Sequence, residues 1–115
     1  MTITEQDFDA WFSHNEPDAD EVLEMIRKSK NAYTFAAVYD EGDLSEFSGN
    51  YRKAVRWLIY KLAFWTAKNA RLMNHLFRQS ALYHQKWDER RPDGKTFGES
   101  YIEEVIRRQK DTFDW

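Results

Sequence analysis

The chain has 115 residues, is 42% hydrophobic, 17% aromatic and 32% charged, and carries a net charge of −3 with no cysteine. That length fits one domain with a modest core, and the balance of apolar and charged residues excludes a disordered chain. Disulfides, thiolate metal sites and cysteine nucleophiles are excluded, no apolar run approaches the ~20 residues of a membrane span, and the acidic start MTITEQDFDAWF is no signal peptide, so a cytoplasmic protein without a membrane partner is expected.

Only four glycines and two prolines punctuate the chain, which favours helices over a many-stranded sheet. Residues 1–17 place Phe8, Trp11 and Phe12 on one short helical face and are expected to form an arm or short helix. The domain proper is expected over 18–110, with 111–115 as a tail. In PDADEVLEMIRKSK, Asp18 is a candidate cap with Glu21 three residues later, as in a capping box, and Val22, Leu23 and Ile26 form the inward stripe. Arg27, Lys28 and Lys30 suit the negative end of that helix dipole. NAYTFAAVY reads as a short second helix with Phe35 and Val38 inward, followed by the loop DEGDLSEFSGN.

The third helix carries the clearest pattern. In YRKAVRWLIYKLAFW, Val55, Leu58, Ile59, Leu62 and Trp65 recur at helical spacing, and Arg52, Lys53, Arg56 and Lys61 take the other side. Thr66–Asn69 makes a tight connection, and Asn69 is a candidate N-cap for ARLMNHLFRQS, whose Met73, Leu76 and Phe77 point inward. A short turn ALYHQKWD and a loop ERRPDGKTFGE, with Pro92-Asp93-Gly94 as turn chemistry, lead to a last helix over about 99–109. Ile102, Val105 and Ile106 are its inward residues. The fold class is therefore all-α, a compact bundle of about five helices.

The near-neutral total hides a division. Residues 1–50 hold 12 acids and 3 bases, a net of −9, whereas residues 51–115 hold 8 acids and 14 bases, a net of +6. Within 51–95 there are 11 bases and 3 acids, a net of +8. Such asymmetry marks either a polyanion-binding face or two halves of one domain that neutralise each other.

Enzyme signatures are missing: there is no phosphate loop, no HExxH and no GxSxG. His14, His75 and His84 have no metal-ligand spacing, and Glu103 and Glu104 fall on different helix faces, so neither a metal, a cofactor nor a catalytic residue is expected. Binding chemistry is better represented. Arg52, Lys53 and Arg56 share one side of the third helix, and Arg78, Lys86, Arg90, Arg91 and Lys95 follow. Tyr51, Tyr60, Tyr83 and His84 are rings able to stack on unpaired bases. A cationic track with stacking rings is the recipe for single-strand binding, while the plainer reading of each residue is solvated surface, ion pairing or boundary packing.

The ordered motifs LAFWT (62–66), LFRQS (76–80) with Leu82, KWD (86–88) and TFGE (96–99) resemble the small helical domain that follows the catalytic core in phage and plasmid primase–polymerases of the archaeo-eukaryotic type. The upstream DADEVLEMIRKSKNAYTFAAVYDEGD resembles that domain's first two helices and loop, so the likeness spans roughly 18–108. It implies a helix bundle that engages single-stranded template DNA and has no active site of its own. Departures are local: Ala67-Lys68-Asn69 stands where the family often has Gly-Gly-Asp, Ala81 where it has Gly, and a basic, aromatic GNYRKAVRW where the third helix usually starts with small and acidic residues. Leu76, Phe77, Leu82 and Trp87 are expected in the core, and Gly98 is expected to serve backbone geometry.

Together these readings give a non-catalytic replication module that binds single-stranded DNA through Arg52, Lys53, Arg56, Arg78, Tyr83, His84, Lys86, Arg90, Arg91 and Lys95. The alternative is an adaptor or inhibitor that docks on a primase, polymerase, helicase or other nucleic-acid-binding protein through Phe8, Trp11, Phe12 and Trp115.

Overall fold

The computed structural model describes residues 17–115; the proposed arm with Phe8, Trp11 and Phe12 lies outside them. Among the described residues there are five α-helices: α1 (Ala19–Arg27), α2 (Ala32–Glu41), α3 (Tyr51–Trp65), α4 (Ala70–Arg78) and α5 (Phe97–Arg108). Two single 3₁₀ turns, Ser45–Phe47 and Gln85–Asp88, interrupt the longer connections. An isolated antiparallel bridge joins Arg90 and Thr96 across the turn before α5.

Side-chain caps set where four helices begin. Asp18 accepts from the Glu21 amide at 2.8 Å, Asn50 from Lys53, Asn69 from Leu72 and Thr96 from Glu99, each at 3.1 Å. Each cap satisfies one amide that the first turn leaves without a carbonyl and is worth about 1 kcal/mol. Thr96 explains why α5 begins at Phe97, two residues earlier than the apolar pattern alone indicates.

α3 is the axis of the bundle and packs against the other four helices. Its Leu58, Ile59 and Leu62 are fully buried, each contributing about 1.5–3 kcal/mol of apolar burial. They meet Val22 and Ile26 of α1, Phe35 and Val38 of α2, Met73, Leu76 and Phe77 of α4, and Ile102 and Val105 of α5 in one cluster. The expected inward residues Leu23, Trp65 and Ile106 are half-buried at its margin. Tyr39 joins the core as well: its hydroxyl donates to the Leu76 carbonyl at 2.7 Å, and burial, with the Asp40 charge adding to it, pushes its pKa up to about 12.

Three connections depend on particular residues. Ala67 and Lys68 both adopt left-handed backbone, φ 53° and 63°, so that the Lys68 amide can close on the Ala63 carbonyl at 2.8 Å. Each non-glycine residue in that region costs about 1 kcal/mol. Gly98 has a different role from the expected one. It sits inside α5 with the Trp87 ring laid on it, and a Cβ there would lie 2.6 Å from Cδ2 and closer still to Cε2 and Nε1. The demand is therefore for space. Trp87 is 4% exposed, packs with its ring centroid 4.1 Å from that of Phe77 at a tilt of 34°, and donates its indole N–H to Asn74 at 2.8 Å.

The last residues are folded back on the end of α3. The Phe113 amide donates to the Phe64 carbonyl at 2.9 Å and the Trp115 indole to the Trp65 carbonyl at 2.6 Å. These are terminal carbonyls that the helix itself leaves open. The Phe113 ring lies 4.9 Å from Trp65 and 4.8 Å from Trp115. Trp115 is thus partly engaged within the chain, though 40% exposed.

Candidate nucleic-acid interface

Among the described residues the two halves of opposite charge do not neutralise each other by ion pairing. Among the described residues every ion pair stays within its own half: Arg27–Asp40 and Lys28–Glu24 in the acidic part, and Arg78–Asp88, Lys95–Glu103, Arg107–Glu104 and Arg108–Glu104 in the basic part. Of the 11 bases in 51–95, only Arg78 and Lys95 have a carboxylate partner among the described residues. Among the described residues, helix α3 and the loops around α4 therefore expose most of their cationic charge without a carboxylate in close contact.

The ten candidate residues divide into groups with different surroundings. Arg78, at the end of α4, pairs with Asp88 and lies over the Tyr83 ring, 5.4 Å from its centroid. Tyr83 donates its hydroxyl to the other oxygen of Asp88. That hydrogen bond, with burial and the Asp88 charge adding to it, raises the tyrosine pKa. Three side chains thus form a closed clasp around the turn from 79 to 88. His84 accepts the Lys86 amide through Nδ1 at 3.1 Å and caps the 3₁₀ turn. Arg90 donates to the Gly94 carbonyl at 2.7 Å across the bridged loop, and Lys95 holds both oxygens of Glu103, at 2.9 and 2.8 Å. These residues have local structural work, which does not require their charge to be spent on a ligand.

A second group faces outward from α3. Arg52, Arg56 and Tyr60 fall at i, i+4 and i+8, one above another along one side. Arg56 lies over the Tyr60 ring, 5.7 Å from its centroid. Neighbouring Lys53 is exposed, and so is Lys86 on the 3₁₀ turn; neither has an ion-pair partner among the described residues. Across from this face, α5 presents Phe97 and Tyr101, whose rings are 6.1 Å apart and rest on Trp87 at 6.4 and 6.0 Å. Burial raises the Tyr101 pKa, while the nearby Arg56 guanidinium lowers it and Tyr60 adds a smaller upward effect. Arg91 completes the row, lying 5.1 Å from the Phe97 centroid.

Sequence reasoning named Arg52, Arg56 and Arg91 but not Phe97 or Tyr101, although their i, i+4 spacing is a visible signal of two rings on one helix face. It also passed over Arg71. With Asn74, His75 and Arg78, that residue lines an open groove of about 750 Å³ beside the start of α1. Tyr51, half of whose surface is covered, donates to the Leu82 carbonyl and ties α3 to the turn after α4. Among the described residues no three His, Asp or Glu side chains are grouped to hold a metal ion, and no helix is long and apolar enough to cross a membrane.

Comparison with known proteins agrees with this architecture in one place. The family model described as the NrS-1 polymerase HBD domain matches residues 54–115, from within α3 to the last residue. No curated protein and no solved structure matches the chain. The matched stretch contains the LAFWT, LFRQS, KWD and TFGE motifs, most of the axial helix α3 and the whole Trp87–Gly98 contact. The chain belongs to the NrS-1 polymerase HBD domain family, helix-bundle domains of primase–polymerases.

Proposed function

We propose that this domain binds single-stranded DNA on behalf of a primase–polymerase and performs no chemistry of its own. The observation that carries the reading is the set of cations in 51–95 that have no carboxylate partner among the described residues, within a domain of a polymerase family. Exposed arginines and lysines that make no ion pair retain their full capacity to displace counterions from phosphates. Exposed and half-exposed rings beside them add stacking on unpaired bases, which a duplex does not offer. Arg52, Lys53, Arg56, Lys86 and Arg91 are the first phosphate contacts by this criterion. Arg78 and Tyr83 join only when a phosphate displaces Asp88, and Arg90, Lys95 and His84 act chiefly by shaping the loop.

The test is an anisotropy titration with a labelled single-stranded oligonucleotide at low salt, comparing the wild type with the double variant Lys53→Glu, Lys86→Glu. Both residues are exposed and have no ion-pair partner among the described residues, so the melting temperature is expected to hold while affinity drops at least ten-fold. Equal affinity of both proteins, or no wild-type binding, contradicts the proposal.

A further inference from the structure

The aromatic residues of α5 form a surface that neither the cations nor the core accounts for. Phe97 is 39% exposed although it opens a helix whose inward positions are filled by Gly98, Ile102 and Val105. Its ring and that of Tyr101 are backed by Trp87, which is itself fixed by Phe77 and by its bond to Asn74. Rings braced in this way lose little freedom when something is laid on them. At both ends of the row a guanidinium lies on a ring: Arg91 on Phe97 and Arg56 on Tyr60. Neither arginine pairs with a carboxylate among the described residues, so either can swing to a phosphate at small cost.

We propose that Phe97, Tyr101 and Tyr60 form a stacking track for the bases of a single strand, with Arg91, Arg56 and Arg52 taking its phosphates. This deepens the single-strand reading above and rests on it. The chemistry favours this face over the clasp at Arg78. There the Asp88 carboxylate occupies both the guanidinium and the tyrosine hydroxyl, and it repels a phosphate. Along the track Arg52, Arg56 and Arg91 have no carboxylate partner among the described residues, and the rings come from both α5 (Phe97, Tyr101) and α3 (Tyr60), so the strand runs along the seam between those helices. Three rings accommodate about three bases, and π-faces discriminate weakly among bases, so recognition here is tolerant of sequence.

The experiment uses the full chain and a labelled oligothymidylate, a strand of equal length with abasic sites, and the duplex. The variants are Phe97→Leu and Tyr101→Leu, which keep apolar volume but remove the flat ring, each checked by thermal melting. The track predicts that the abasic strand and the duplex bind roughly ten-fold or more weakly than the oligothymidylate. It also predicts that each variant loses about ten-fold on the oligothymidylate and almost nothing on the abasic strand. Wild-type protein and abasic strand already test the track without any variant, should one fail to fold. Equal affinity for normal and abasic strands overturns the track while leaving phosphate-driven binding intact. So does an equal loss by the variants on both strands. Failure of the wild type to bind any strand at low salt overturns both the track and the single-strand reading.

Discussion

Arg56 and Arg78 each lay a guanidinium over a tyrosine ring at nearly the same distance, 5.7 and 5.4 Å, yet the two pairs end differently. At Arg78 the carboxylate of Asp88 closes the arrangement, binding the guanidinium and the Tyr83 hydroxyl together. At Arg56 no carboxylate is paired among the described residues, and the row continues through Tyr60 towards Tyr101. The same pair of side chains is thus a clasp in one place and an open surface in the other. The decisive variable is a single acid, which satisfies a cation locally or leaves it for a ligand.

The largest effect is expected where both regions share a support. Trp87 adjoins Asp88 in the clasp and carries the Phe97 and Tyr101 rings, and its seat requires Gly98 to lack a side chain. Gly98→Ala is expected to cost about 3 kcal/mol of stability by overpacking, seen as a fall in melting temperature, and to disturb both regions at once. Next in size is Arg52→Glu, which supplies the missing acid one turn before Arg56. Glutamate N-terminal to arginine at i, i+4 is the favourable order, so the open pair becomes a closed one. Affinity for single strands is expected to fall about ten-fold, or about 1.4 kcal/mol, with folding stability unchanged or a few tenths of a kcal/mol higher.

Ala67→Gly separates scaffold from surface. It relieves a left-handed alanine and is expected to add up to about 1 kcal/mol of stability in chemical denaturation, with strand affinity untouched. The smallest effect is the converse of Arg52→Glu. Asp88→Asn opens the clasp, and binding is expected to tighten roughly three-fold in anisotropy, while stability falls by less than about 1 kcal/mol because the pair is exposed. If Arg52→Glu and Asp88→Asn move affinity in the same direction, the contrast between closed and open cations is wrong.

Much of the bundle was legible because helices announce themselves locally. The apolar spacing of Val55, Leu58, Ile59 and Leu62 fixed the axis, and Asp18 and Asn69 marked two starts through the chemistry of a short oxygen acceptor. The core roles of Leu76, Phe77, Leu82 and Trp87 followed from the motifs that contain them. Other features depend on where distant segments meet, which periodicity does not encode. Asp88 reaches Arg78 only because the chain from 79 to 88 folds into turns. Tyr101 comes near Arg56 only because α5 packs along α3. Gly98 was misread for a related reason: a sequence shows a missing side chain but not the ring that fills its space. The division of charge was visible, but its meaning required the ion pairs, all of which stay within one half among the described residues.

The central claim is that the cations of 51–95 without a carboxylate partner among the described residues meet phosphates, and salt tests it most directly. Affinity for a labelled single strand is measured from low to moderate salt and plotted as log K against log salt. Contacts by Arg52, Lys53, Arg56, Lys86 and Arg91 predict a straight line with a slope of about −3.5, at about −0.7 per phosphate neutralised. A flat line, or no binding at the lowest salt, contradicts the account.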